Sequence, residues 1–215
     1  MNLEINRAHF PVTVLGPGRR IGIWFQGCKI GCPDCVSRDT WPSDPSRRID
    51  VESLVSWCRD IASGGLDGIT ISGGEPFDQA DGLLRLIEEL SNWRLMAGLD
   101  FDILCYSGYP WRRLQRKHSL VLERLDAIIP EPFKREESPG LSLRGSANQS
   151  LIPLSDRGRR VFANWVDASS SAGMQVAVNG GKVWLIGIPS QGTMDRFAQG
   201  CADKGLRLTE MSWQP

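Results

Sequence analysis

Three closely spaced cysteines are the strongest chemical signal in the sequence. Cys28, Cys32 and Cys35 follow the pattern C-x3-C-x2-C within the segment WFQGCKIGCPDC. Thiolates that converge on one small face are the usual ligands of an iron–sulfur cubane, and three of them leave a fourth iron open to another ligand. The favoured interpretation is therefore an iron–sulfur cluster with one open position.

Two other interpretations of the cysteines stay open at this point. A structural zinc ion would need a fourth ligand, and the two histidines, His9 and His118, do not stand at zinc-finger spacing. The nearest further thiol, Cys58, falls in a predicted helix. Zinc with a distant fourth ligand and a chance grouping of cysteines are both weaker alternatives. The remaining cysteines, at positions 58, 105 and 201, are expected to be core residues.

The chain around the cysteines predicts strands that alternate with helices. Apolar runs predict strands at 20–25, 66–72, 101–109 and 125–133. Helical spacing of apolar residues predicts helices at 51–63, 79–93 and 111–125. This alternation is typical of an α/β fold with parallel strands, here a partial (β/α) barrel. The cysteine loop, SGGEP (72–76) and YSGYP (106–110) each end a strand, so we expect all three at one rim, where such folds place their chemistry.

The pattern changes towards the C-terminus. After a polar stretch at 134–156, the sequence predicts a helix at 157–172 and two strands at 174–188 around Asn179-Gly180-Gly181. A helix at about 191–204 and a short strand at 206–211 follow. We interpret residues 1–156 as the main domain and 157–215 as a small α+β extension.

Composition excludes some functional classes. The 215 residues include 25 basic and 25 acidic side chains, so the formal net charge is zero, which argues against a nucleic-acid or anionic-membrane partner. The N-terminal segment lacks the apolar stretch of a signal peptide, and no apolar run reaches the length of a spanning helix. We expect a cytoplasmic protein, in which cysteines stay reduced.

Several motifs together carry a family resemblance. The three-cysteine motif after one strand and the SGGEP motif after the next resemble the radical S-adenosylmethionine (SAM) superfamily. A longer series, listed here in chain order, is similar to the anaerobic ribonucleotide reductase activating proteins, which are glycyl-radical-enzyme activases: GPGRRIGIWFQGCKIGCPDC, TISGGEPFDQ, CYSGY and LRGSANQ. The resemblance runs from about residue 8 to about residue 154.

The resemblance implies two cofactors and a set of residues that bind them. One 4Fe-4S cluster would be held by Cys28, Cys32 and Cys35, with SAM on the open iron. Glycine backbone and a carboxylate suit the SAM ammonium, and the implied contacts are Gly73, Gly74 and Glu75. Ser107 and Gly108 would lie along the ribose or carboxylate edge of SAM.

The implied function is that of an oxidoreductase. An electron from the reduced cluster would cleave SAM to methionine and a 5′-deoxyadenosyl radical, which would install a glycyl radical on a partner enzyme such as anaerobic ribonucleotide reductase. A protein such as flavodoxin would supply the electron. One alternative is a radical SAM enzyme that acts directly on a small molecule or peptide. Another is a non-catalytic iron–sulfur redox protein, which would have no need of the SGGEP motif.

Three features depart from the family pattern. Asp34 stands where many radical SAM proteins have an aromatic residue before the last cysteine. Pro130 and Glu131 replace an Asp–Gly pair before the Pro-Phe of the fourth strand. Residues 157–215 lie beyond the usual end of the short reductase activators. Within LRGSANQ, Arg144 and Asn148 are expected either to line a partner groove or to cap a loop.

Overall fold

The computed structural model describes residues 1–137, 142–165, 173–179, 182–209 and 211–212. The strands within these residues are β1 Asn2–Val12, β2 Arg20–Phe25, β3 Arg48–Asp50, β4 Gly68–Gly73, β5 Asp102–Tyr106, β6 Ala127–Ile129, β7 Ile152–Pro153, β8 Met174–Asn179 and β9 Lys182–Gly187. The α-helices are α1 Val51–Ile61, α2 Ala80–Met96, α3 Trp111–Lys117, α4 Ser119–Leu122, α5 Asp156–Val161 and α6 Thr193–Asp203.

The central sheet is open and mostly parallel. Its strand order is β3-β1-β2-β4-β5-β6-β7, and β2, β4, β5 and β6 are parallel neighbours. All six residues of β2 are buried, as expected for a strand that has neighbours on both sides and structure on both faces. The predicted α/β class with parallel strands is confirmed.

Two helices cover one face of this sheet. Helix α1 begins where the Asp50 carboxylate accepts hydrogen bonds from the amides of Glu52 and Ser53, a typical N-cap. Helix α2 turns an apolar face to the sheet, and its fully buried members are Leu83, Leu86, Ile87 and Leu90. The main core therefore lies between these helices and the parallel strands.

A buried ion pair closes the amino-terminal end of the parallel strands. Arg20, the first residue of β2, and Asp102, the first residue of β5, are both 0% exposed and joined by two hydrogen bonds of 2.6 and 2.8 Å. The Arg20 Nε also donates to the Thr70 hydroxyl of β4 at 2.7 Å. The guanidinium fork thus ties three strands together at the end opposite the three motif loops.

Several predicted boundaries change in the structure. The N-terminal strand β1, which the sequence interpretation missed, pairs antiparallel with β2; its mixed polar and apolar residues give no continuous apolar run. The predicted helix at 111–125 is two short helices, because His118 leaves helical geometry between them. The fourth strand is shorter than predicted and ends before Pro130.

The C-terminal part follows its prediction only in part. The two strands at 174–188 are confirmed as β8 and β9, which pair antiparallel; the turn at 180–181 lies outside the described residues. The helix predicted at 157–172 is α5, which ends at Val161, because Phe162 packs into a second apolar core on the sheet. Residues 166–172 of that prediction lie outside the described residues. The predicted strand at 206–211 is wrong for the described positions in that range, which have no partner strand and include Leu206, 60% exposed.

The β8–β9 hairpin packs beside the central sheet. Ile186 joins Val12 and Trp24 in a small apolar cluster. The Gln175 side chain donates to the carbonyl of Pro11 at 2.7 Å and accepts from the amide of Thr13 at 3.0 Å. The boundary at residue 157 stays a prediction. Within the part of the chain that the structure describes, no helix has the length and apolar character needed to cross a bilayer.

The buried ion pair gives a stability prediction. Replacing Arg20 by Met should lower the free energy of unfolding by about 3–5 kcal/mol, because the Asp102 carboxylate would stay buried without its cation. Denaturant unfolding measures this change. The control is Arg85→Ala, which removes a partly exposed pair with Glu89 on α2 and should cost no more than about 0.5 kcal/mol. Equal losses in the two variants would contradict the prediction.

Candidate functional site

The three motif loops meet at the carboxyl ends of β2, β4 and β5. The register pairs Phe25 at the end of β2 with Gly73 at the end of β4, and β5 ends at Tyr106 just before Ser107 and Gly108. The cysteine loop, the SGGEP loop and the YSGYP loop therefore leave the sheet at the same rim. This is the arrangement that the parallel topology requires.

Glu75 is the side chain that joins these loops. Its carboxylate is 0% exposed. One oxygen accepts hydrogen bonds from the Ser107 hydroxyl at 2.9 Å and the Phe77 amide at 3.0 Å, and the other accepts from the Gly108 amide at 2.8 Å. The Glu75 amide itself donates to the carbonyl of Gly27 in the cysteine loop at 2.8 Å. A single residue thus connects all three loops.

The glycine pair before Glu75 makes this close approach possible. Gly73 has a φ of 105°, a conformation that favours glycine. A Cβ on Gly74 would overlap the backbone carbonyl of Gly27. Both glycines are therefore required by the contact between the SGGEP loop and the cysteine loop, whatever else they bind.

Burial dominates the ionisation of Glu75. It raises the pKa of the carboxyl group to about 7, although the hydrogen bonds from Phe77, Gly108 and Ser107 act in the opposite direction. No basic side chain is among the groups that shift this pKa. A positively charged ligand nearby would favour the ionised form.

The base of the cysteine loop is held by hydrogen bonds to residues 39–42, which follow it in the chain. The amide of Gly27 donates to the carbonyl of Thr40 at 2.7 Å, and the amide of Cys28 donates to the carbonyl of Trp41 at 2.9 Å. The Gln26 side chain donates to the carbonyls of Asp39 and Pro42. The loop therefore has a fixed base, while its three thiols are only half-buried.

Two further residues fix the loops, and the sequence interpretation missed both. The Asp78 carboxylate accepts from the Lys29 amide at 2.9 Å and from the Tyr109 hydroxyl. The Gln79 side chain pairs with both backbone groups of Glu4 in β1, at 2.8 and 3.1 Å. Both residues lie in the segment TISGGEPFDQ, within three residues of the end of SGGEP. This position beside the motif was the sequence signal that could have identified them.

The departures from the family pattern have structural explanations. Asp34 has a φ of 59°, which Asp tolerates better than most residues, and its carboxylate accepts from the Arg135 guanidinium at 2.8 Å. Glu131 has a φ of 84° in place of the glycine. Its carboxylate accepts from the amide of Trp111, the first residue of α3, at 2.9 Å. Each replacement adds a contact between the loops of the rim.

A family match covers this whole arrangement. Residues 14–152 match the family described as the 4Fe-4S single cluster domain. The chain belongs to this family. The matched range includes all three loops of the rim and ends in β7, before the C-terminal extension.

Curated relatives of this 4Fe-4S protein are activating enzymes. The chain is 29% identical over 149 residues to the anaerobic ribonucleoside-triphosphate reductase-activating protein of Vibrio cholerae, covering 66% of this chain and 94% of that relative. It is 32% identical over 146 residues to the pyruvate formate-lyase-activating enzyme of Staphylococcus aureus, covering 65% of this chain but only 57% of that relative. The crystal structure of QueE from Escherichia coli aligns with a TM-score of 0.44 at 20% identity, over 60% of this chain and 69% of that chain.

The predicted superfamily is therefore confirmed. This 4Fe-4S protein is an enzyme of the radical SAM type, and its cofactors are one 4Fe-4S cluster and SAM. The predicted ligands and SAM contacts, by residue, stay predictions. The structure brings Gly73, Gly74, Glu75, Ser107 and Gly108 together at one edge of the cysteine loop.

The three thiols lie close enough to influence one another's ionisation. Burial raises the pKa of the Cys28 and Cys32 thiols, and each of these thiols also interacts electrostatically with Cys35. Within the described residues, no three His, Cys, Asp or Glu side chains are arranged to hold one metal ion.

Gly74 offers a direct test of the loop packing. Gly74→Ala should reduce cluster incorporation severalfold, because a methyl group would push the backbone of the cysteine loop away at Gly27. Iron and sulfide content after reconstitution measures this. The matched control is Gly200→Ala in α6, where an added Cβ meets nothing within 4 Å. Full incorporation in the Gly74 variant would contradict the packing that we describe.

Glu75 gives a pH prediction for the cluster-free protein. Its folded pKa of about 7 exceeds the ordinary value of 4.5, so the folded state binds the proton more tightly than the unfolded state. Stability from this group is complete below pH 4.5 and is lost as the pH rises to about 7. Relative to Glu75→Gln, which does not titrate, the native chain should lose about 3 kcal/mol of unfolding free energy across that window. A difference that does not change with pH would contradict this.

Proposed function

We propose that the protein is a glycyl-radical-enzyme activase, and that its partner is an anaerobic ribonucleotide reductase. The main support is the match to the reductase-activating protein, of which the chain covers 94%. The LRGSANQ segment, which points to the same group, lies within the matched region. The activating enzyme of pyruvate formate-lyase is matched over little more than half its length, which makes a lyase partner the second choice.

The residues of the rim would have different roles in binding the two cofactors. Cys28, Cys32 and Cys35 would hold the cluster, and its open iron would take the amino and carboxylate groups of SAM. When bound, the reduced cluster would supply the electron for cleavage of SAM to methionine and a 5′-deoxyadenosyl radical. The protein residues bind and orient the cofactors and exclude water.

The SAM amino group would meet the glycine pair. The backbone carbonyls of Gly73 and Gly74 would accept from it, and Ser107 and Gly108 would border the rest of the ligand. The Glu75 carboxylate is fully buried and already accepts three hydrogen bonds. We therefore propose that it acts on SAM through its charge and through the loops it holds, rather than through a direct side-chain contact.

An electron donor with an acidic surface would suit the face beside the rim. Helix α3 starts directly after the YSGYP loop, and its exposed basic side chains are Arg112, Arg113, Arg116 and Lys117. Opposite charges steer redox partners together, so a protein such as flavodoxin is our proposed reductant. All six cysteines are free, which supports the proposed cytoplasmic location.

Anaerobic reconstitution followed by dithionite and SAM tests the chemistry. The native protein should release 5′-deoxyadenosine and, with a glycyl-radical reductase present, generate a glycyl radical visible by electron paramagnetic resonance. Cys32→Ala should lose the cluster and both products, because the remaining thiols cannot replace the missing ligand. The control Cys201→Ala, in α6 and outside the matched region, should retain all three.

Two results would overturn the proposal at different levels. A protein with a full four-iron cluster that forms no 5′-deoxyadenosine is not a SAM-cleaving enzyme. A protein that forms 5′-deoxyadenosine but no radical on either a reductase or a lyase partner is not an activase of these enzymes, and direct action on a small molecule or peptide would then be favoured.

A further inference from the structure

One peptide group lies between the cysteine loop and the C-terminal end of the chain. It joins Val36 to Ser37. Its amide hydrogen, on Ser37, is donated to the sulfur of Cys35 over an N–S distance of 3.4 Å. Its carbonyl oxygen, on Val36, accepts a hydrogen bond from the Ser212 hydroxyl at 3.2 Å. Because a peptide unit is planar and rigid, a contact that fixes the carbonyl also fixes the direction of the hydrogen that points at Cys35.

A second hydrogen bond joins Ser212 to the next peptide group. The amide of Arg38 donates to the carbonyl of Ser212 at 3.1 Å. Ser212 therefore contacts the residues on both sides of Ser37, through one side-chain bond and one backbone bond. It lies 176 positions from Val36 in the sequence, so the folding of the C-terminal extension brings it to the cysteine loop.

The carbonyl of Ser37 is anchored by a different residue. It accepts from the Thr40 hydroxyl at 2.6 Å and from the Thr40 amide at 3.1 Å. Thr40 is fully buried, and its own carbonyl accepts from the Gly27 amide at the base of the cysteine loop. Thr40 therefore fixes the carboxyl side of Ser37, while Ser212 holds the peptide on its amino side.

We propose that Ser212 is a positioning residue that raises the reduction potential of the cluster by fixing the Val36–Ser37 peptide against Cys35. The inference rests on the proposed function only in taking Cys35 as a cluster ligand. An N–H group donated to a ligand sulfur stabilises the added negative charge of the reduced cluster, which raises its potential. Donation to the carbonyl end of the same peptide polarises the N–H group and strengthens that bond.

The inference gives the C-terminal extension a role at the cofactor site. Ser212 lies beyond residues 14–152, which match the 4Fe-4S family, so this contact is an addition to the matched domain. An extension that acted only by keeping water from the cluster would have the opposite effect. Water stabilises the more negative reduced state, so its exclusion lowers the potential. The direction of the change therefore separates the two roles.

Two substitutions at position 212 isolate the hydroxyl group. Ser212→Ala removes the donation to Val36 and keeps the backbone carbonyl that accepts from Arg38. Ser212→Thr keeps a hydroxyl group on the same carbon and should preserve the native behaviour. The matched control is Ser190→Ala, at an exposed serine of the same extension whose hydroxyl pairs with that of Thr193.

The measurement is a redox titration of the reconstituted protein without SAM, followed by electron paramagnetic resonance. At a fixed potential, the ratio of reduced to oxidised cluster should fall roughly threefold in Ser212→Ala, the size expected for weakening one hydrogen bond. Ser212→Thr and Ser190→Ala should match the native protein, and all three variants should retain full iron content. A purely structural role would lower thermal stability without moving this ratio.

Three results for Ser212→Ala would overturn the inference. An unchanged ratio with full iron content would show that the hydroxyl does not tune the cluster. A ratio that rises would assign the extension to water exclusion instead. Loss of iron in this variant but not in Ser190→Ala would show that the residue builds the site rather than tunes it.

A failure of the ligand assignment gives a different result. A Cys35→Ala variant that keeps its full iron content would show that Cys35 is not a ligand, and the inference would fall with that assignment. The titration needs neither SAM nor a partner, so it remains decisive if the native protein activates no partner.

Discussion

The contacts of Glu75 are the constraint on which the rest of the rim depends. Its buried carboxylate holds the end of the third parallel strand, while its amide holds the cysteine loop. A buried carboxylate without a cation is costly, and here three hydrogen bonds offset part of that cost. Burial raises the pKa of this carboxyl group to about 7 in spite of those hydrogen bonds. A buried carboxylate beside a thiol loop suits a cationic ligand, and SAM carries a sulfonium group.

The two ends of the parallel strands differ in how their buried charged groups are paired. At the amino-terminal end, Arg20 and Asp102 are fully buried but matched in charge and geometry, so that end is closed by the chain itself. At the carboxyl-terminal end, the thiols stay half-buried, and within the described residues the hydrogen-bond donors to the carboxylate are one hydroxyl and two backbone amides. The same topology therefore gives one closed end and one end prepared for cofactors. This asymmetry follows from where the sequence places the buried Arg20 and the glycine pair Gly73–Gly74.

Glu131 and Asp34, the rim residues that depart from the family pattern, form contacts of their own. Glu131 accepts a backbone conformation that favours glycine, and its carboxylate anchors the start of α3 in return. Asp34 pairs with Arg135. Both residues link the loop at residues 131–135 to its neighbours. The LRGSANQ segment supports the same loop from the other side.

The sequence by itself determined the α/β class with parallel strands and the three loops that meet at one rim, because these follow from local periodicity and from motifs at strand ends. The cofactors followed from the family resemblance of those motifs. It missed β1, whose mixed residues form a strand only because β2 lies beside it, and it predicted a strand at 206–211 where the described residues have no partner strand. It also missed Asp78 and Gln79. Their roles depend on atoms far away in the chain. Only tertiary structure decides such contacts, since each partner is brought within hydrogen-bond reach by the packing of elements distant in sequence.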